Sequence, residues 1–234
     1  MKKIISEGFL LLSILFFTAC NDNDNNSTPI TYGDAFILSE ISLSDDAKEN
    51  VVYSLIINAY STNYTINSVN VTGNYNNYTL TNSNGLYSYK DGPYDDYNIF
   101  SDIYNFNYTF DSTTATSSNN NTVTSYVIQP AEITSCIGSP SSIDVKWNTI
   151  ENANALLIQM KNSEGVVVFS NNNYSNQLNA TEYTISNDTG LWEEGYYLNE
   201  GETYTVEILG FLTEENLPSY IQAKSLASAN VVWE

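Results

Sequence analysis

The sequence predicts an all-β protein built as two tandem sandwiches. Three observations carry this expectation. Short runs that alternate apolar and polar side chains recur at spacings of roughly 8 to 12 residues, the rhythm of sandwich strands. Clusters of Asn, Gly, Asp and Ser bound those runs and supply the turns between them. No stretch shows a helical period long enough to bury an apolar stripe.

The chain opens differently. Lys2 and Lys3 form a basic head, and apolar residues dominate from Phe9 to Phe17. That run is too short to cross a bilayer, which takes roughly 20 apolar residues, and it fits a cleaved secretory signal over residues 1–19. Thr18 and Ala19 precede Cys20, and "NDNDNN" follows it. This setting resembles the lipobox of bacterial lipoproteins. The resemblance implies cleavage before Cys20, acylation of its thiol and anchoring at a membrane by the lipid. The other reading is an ordinary signal with an incidental cysteine. The acidic string resembles the surface-export signal of Bacteroidetes lipoproteins, which implies a lipid-anchored place on the outer membrane, facing outward. Residues 20–33 are read as the lipidated cysteine and a flexible tether, being too polar to fold.

The first sandwich is expected over 34–130. Its candidate strands are "AFILSEISL", "VVYSLIINAY", "INSVNVT", "NYTLT", "LYSY", "DIYNFNYTF" and "TVTSYVI". Tyr104, Phe106, Tyr108 and Phe110 share one face of the sixth, and Asn105, Asn107 and Thr109 the other. Such alternation reads as one buried and one wet side. "TNSNG" and "SSNNN" are read as turns, and Pro130 closes the unit because it cannot donate to a central ladder.

The second sandwich is expected over 131–234. "SIDVKWN" sets Ile143, Val145 and Trp147 against Asp144, Lys146 and Asn148. "ALLIQMKNSEGVVVFS" reads as two strands around "NSEG", with Gly165 free to take positive φ. "TEYTIS", "LNEGETYTVEILGF" and "YIQAKSLASANVVW" complete the set. Trp147, "TEYTIS", and Leu198, Gly201 and Tyr204 in an L-x-x-G-x-x-Y pattern resemble fibronectin type III. The resemblance implies Trp147 as a core anchor on strand B and Tyr204 as a tyrosine corner. Leu157, where that family often has tyrosine, and the long insert "SNDTGLWEEGYY" depart from its pattern. The first half is read as a generic immunoglobulin-like sandwich.

Composition narrows the function. The chain carries a net charge of −20, with 7 Lys plus Arg (all lysine) and no histidine. Nothing so acidic tracks a phosphate backbone, so nucleic acid is excluded as a partner. Without histidine the commonest general base and the commonest transition-metal ligand are missing. With Cys20 acylated, Cys136 has no partner for a disulfide and reads as a small buried apolar residue. Glu193–Glu194, Glu214–Glu215 and Asp95–Asp96 are the densest acidic pairs. They read as solvated loops, and no nucleophile elbow, P-loop or dinucleotide fingerprint is present. The chain is therefore expected not to be an enzyme and to need no cofactor.

Two loops attract attention. "YKDGPYDDYNIFSD" holds Asp91, Asp95, Asp96 and Asn98, oxygen ligands of the kind calcium takes, although their spacing is not that of an EF-hand. A solvated loop is the simpler reading. The same loop carries Tyr94, Tyr97 and Phe100, and "GLWEEGYY" carries Trp192, Tyr196 and Tyr197. Aromatics beside carboxylates and amides can stack on sugar rings or make protein contacts, and loops on a rigid scaffold are where function concentrates. The expectation is a membrane-anchored, non-catalytic binding or presentation lipoprotein, recognising a glycan or an envelope protein. The alternative is a structural spacer or assembly subunit of an outer-membrane complex without a ligand of its own.

Overall fold

The computed structural model describes residues 30–43, 49–62, 64–100, 105–112, 116–122, 127–171, 180–194, 196, 198–214 and 217–234. The signal peptide, Cys20, most of the tether, Tyr104 and Tyr197 lie outside them. In the first half the strands are β1 (Thr31–Leu43), β2 (Glu49–Ser61), β3 (Ile66–Thr72), β4 (Asn77–Thr79), β5 (Thr81–Ser83), β6 (Leu86–Tyr94), β7 (Asn105–Ser112) and β8 (Thr116–Thr122). In the second half they are β9 (Ile133–Gly138), β10 (Ser142–Trp147), β11 (Ala155–Lys161), β12 (Val167–Ser170), β13 (Glu182–Ser186), β14 (Leu191–Trp192), β15 (Thr203–Glu214) and β16 (Leu217–Val232). Among the described residues a single 3-10 turn spans Tyr97–Phe100. The all-β sandwich class read from the sequence is the one observed.

The strands form three sheets: a nine-stranded sheet in the order β14-β12-β11-β15-β16-β1-β2-β6-β5, a three-stranded sheet β13-β10-β9 and a four-stranded sheet β4-β3-β7-β8. One face of the long sheet packs against both smaller sheets. Beneath β4-β3-β7-β8, Ile37, Leu55, Ile57, Val71, Phe106, Tyr108 and Phe110 make one core. Beneath β13-β10-β9, Val145, Trp147, Ile158, Met160, Ile185, Tyr204 and Ile208 make another. The sandwiches share a continuous sheet across the junction, where β1 runs parallel to β16 from Ile37↔Ala223 to Glu40↔Leu226.

Several expectations on local structure need correction. β1 takes in Thr31, Tyr32 and Gly33, assigned above to the tether. Tyr32 stacks on Tyr60 at 5.0 Å, and Gly33 lies so close to the Tyr108 ring that a Cβ would strike it. "SSNNN" lies inside β8 and is not a turn; its residues pair along β7 from Asn105↔Thr122 to Asp111↔Thr116. Ladder pairing here overrides the turn preference of Asn and Ser, because backbone partners are supplied at every rung. Of "TVTSYVI", Thr122 ends β8, positions 127 and 128 are coil, and 123–126 lie outside the described residues. "NYTLT" is split at Leu80, where the chain passes from one sheet to the other. "TNSNG" is a turn only at its end: Thr81–Ser83 form β5, and Asn84 (φ 51°) and Gly85 (φ 89°) join it to β6 with two residues, the signature of a hairpin turn that matches strand twist.

The opposite face of the long sheet carries a buried apolar strip that includes Phe36, Leu38, Ile56, Leu157, Leu209 and Phe211. Strand alternation puts a row of charges on that same face. Lys161 pairs with Glu207 at 2.6 Å, Gln159 donates to the same carboxylate, and Lys90 pairs with Glu40 at 2.7 Å. Between these pairs sits Lys224 on β16, only 2% exposed, with its ammonium 5.4 Å from the centre of the Phe211 ring. Burial pulls the Lys224 amine down from 10.5 to about 8, against the opposing pull of Glu207 and Glu40.

Candidate functional site

The first wall of the site is the turn after β13. In "SNDTGLW", Thr189 closes the turn by accepting from the Ser186 N–H at 2.8 Å and donating to carbonyls of Thr184 and Ser186. Gly190 follows at φ +63°, where L-residues are strained, and a Cβ there would run into the Phe169 ring and the Ser170 carbonyl. The turn therefore needs glycine, and it delivers Trp192 onto Phe169 with ring centres 4.9 Å apart. The Trp192 indole N–H donates to the Ser186 carbonyl at 3.1 Å.

The second wall is built by the corner that opens β15. The Tyr204 hydroxyl accepts from the Asn199 backbone N–H at 3.1 Å and donates to Glu202 at 3.0 Å. A tyrosine bonding back to the chain just upstream is the tyrosine-corner geometry. Tyr196 donates its hydroxyl to Tyr204 at 3.4 Å, which fixes its ring beside Leu198. Burial, then the bond from Tyr196, raises the Tyr204 hydroxyl above its ordinary range. Glu202 is held below the usual carboxylate range by hydrogen bonds from Asn199, Tyr204 and Ser163. Gly201, at φ +79°, donates its N–H to the Trp233 carbonyl at 2.7 Å, and the Trp233 N–H returns to Glu202 at 3.0 Å. These two backbone bonds pin Trp233, which is 6% exposed.

The third wall is the turn between β9 and β10. Ser139 donates its N–H to the Ser142 carbonyl at 2.8 Å and so presents Pro140. Gly138 lies against the end of β16, where any Cβ would collide with the Val232 carbonyl. The three walls border a half-open depression of about 400 Å³ lined, among the described residues, by Pro140, Asn187, Trp192, Tyr196, Leu198 and Trp233. That described lining holds aromatic rings, one amide and no lysine, aspartate or glutamate.

Of the residues singled out from the sequence, Trp192, Tyr196 and Leu198 meet here. Pro140, Asn187 and Trp233 were missed. For Trp233 the signal was "VVW", in which Val231 and Trp233 point inward and Val232 outward. Trp147 is buried in the core beneath β10, 3% exposed, and lines no site. Cys136 is half-buried against the same core, and burial raises its thiol to about 11. That is the behaviour of an inert apolar-site cysteine rather than a reactive one.

The other aromatic loop lies in the first half. Phe100 is a core residue at 4% exposed, and Tyr94 meets it edge-on at 5.7 Å. Tyr97, 39% exposed, packs edge-on to Tyr53 at 5.5 Å, and Ile99 projects beside it. Asp91 accepts from the Tyr94 hydroxyl at 2.7 Å, and Asp96 accepts from both nitrogens of Asn98 at 2.8 and 2.9 Å. Asp95 is exposed. Among the described residues no three acidic or cysteine side chains converge as a metal site; Asp91 lies at the end of β6, and Asp96 and Asn98 are bonded to each other in the loop after it.

No family model matches the chain. No curated protein matches it either. Among solved structures, one described as "Biofilm associated protein - BSP domain" is similar at a TM-score of 0.27 and 10% identity, over 91% of this chain and 53% of that one. The chain thus spans about half the length of that structure.

Proposed function

We propose that this chain is a non-catalytic recognition protein, held at a bacterial outer membrane by a lipid on Cys20, with the cavity at the end of the second sandwich as its contact surface. The observation that supports the reading is the lining itself. Two tryptophans and a tyrosine, locked by hydrogen bonds and by glycine-dependent turns, face one cavity of about 400 Å³. Rigid aromatics on a β scaffold bind with little ordering cost. The test is a screen of the full mature chain against glycan and envelope-protein panels, run beside Trp192→Ala. Binding that Trp192→Ala weakens supports the reading, and full retention by that variant rejects it. Fatty-acid labelling that disappears in Cys20→Ser checks the anchor; an unlabelled parent chain removes it.

One observation favours a second reading, a spacer or assembly subunit. A sheet continuous through both halves suits a stiff support that needs no ligand. Co-purification with a larger envelope complex, unaffected by Trp192→Ala and without a signal on any panel, is the outcome that reading requires.

A further inference from the structure

We infer that the ligand of this cavity is an uncharged saccharide of one or two rings. The inference rests on the reading of the cavity as a recognition surface and narrows what it takes.

Charge gives the first argument. The chain carries −20, and none of the six described lining residues is a lysine, aspartate or glutamate. A uronic or sulfated sugar would meet a repulsive field and no cation to pair with. A cationic group would find no carboxylate in the lining to offset its desolvation. A neutral ligand escapes both costs.

The polar atoms give the second argument. The Trp192 indole N–H is committed to Ser186, and the Tyr196 hydroxyl to Tyr204. What those side chains offer a ligand is ring surface, which suits the C–H face of a pyranose. Asn187 is exposed on the turn between β13 and β14. Its amide both donates and accepts, so it can serve a pair of adjacent hydroxyls. Size completes the case. A cavity of about 400 Å³ sits at the small end of ligand sites, which run from roughly 300 to 1,000 Å³.

The experiment uses the full mature chain on an array holding neutral, uronic-acid and sulfated oligosaccharides and a panel of proline-rich peptides. The expected result is binding to neutral saccharides only, equal at low and high salt. Trp192→Ala should weaken it about two- to tenfold, the scale of one lost aromatic contact. Asn187→Ala, on an exposed turn position, should weaken it several-fold with the thermal transition unchanged. It carries the test if Trp192→Ala does not fold. Acidic-glycan or peptide binding that is sensitive to these substitutions overturns the saccharide assignment and leaves the recognition cavity standing. Binding insensitive to both substitutions, or no binding to any probe, overturns the two together.

Discussion

Lys224 is buried in a strip of Phe and Leu, and that burial pulls its amine down from 10.5 to about 8. The unfolded chain holds that proton more tightly, so between about pH 8 and 10.5 this residue makes the fold more stable as pH rises. Over that window the gain is about 3 kcal/mol, at 1.36 kcal/mol for each pH unit between the two values. Cys136 and Tyr204 act in the other direction. Their folded values are raised, so their contributions are complete at neutral pH and fade as the solution becomes alkaline. Comparing the parent chain with Lys224→Met cancels those shared effects. Urea midpoints should show the parent gaining on Lys224→Met between pH 8 and 10; parallel pH profiles would contradict the assignment. The Tyr204 hydroxyl ties together the second wall of the depression, joining Tyr196, Asn199 and Glu202. Tyr204→Phe should cost about 1 to 2 kcal/mol in urea denaturation, the value of a buried hydrogen-bond centre, and should also weaken ligand binding. A change in neither quantity would show the corner to be idle.

At the scale of elements, Gly190 decides whether the turn that carries Trp192 can form. Gly190→Ala combines a strained positive φ with a clash against Phe169, and should lower the unfolding free energy by about 1 to 3 kcal/mol in urea denaturation. Because Trp192 follows two residues later, its fluorescence should shift toward the solvent-exposed spectrum in the folded variant; an unchanged spectrum would mean the turn tolerates the methyl. The core-facing alternation was legible in the chain. Phe106, Tyr108 and Phe110 are buried while Asn105, Asn107 and Thr109 are exposed, and Ile143, Val145 and Trp147 face inward against Asp144 and Lys146. Period-two patterning survives whatever sheet a strand joins. β8 was illegible because seven Asn, Ser and Thr residues carry no apolar face to read. Half of the site was legible: Trp192 and Tyr196 stand in one insert and Leu198 directly follows it, whereas Pro140, from the β9–β10 turn, and Trp233, just after the end of β16, are brought beside them only by packing.

At the scale of the molecule, the parallel contact of β1 with β16 could not have been read from the sequence. Its partners lie far apart in the chain, and a run buried on both faces looks the same next to any neighbour. The contact has a measurable consequence. All 3 tryptophans belong to the second half, so their fluorescence reports that sandwich, while near-UV tyrosine signals weigh the first. The shared sheet and the row from Lys161 through Lys224 to Lys90 should make both probes trace one urea transition. Two separated transitions would mean the halves fold independently.

The same pair of strands also sets how the protein bears load. β1 enters from the amino-terminal side and β16 leaves toward Trp233, both running in one direction. Tension drawn between Ile30 and Trp233 therefore slides Ile37–Glu40 past Ala223–Leu226 in shear, straining every rung together instead of unzipping them one by one. A protein gripped at its two ends in flowing liquid would resist extension best at this seam.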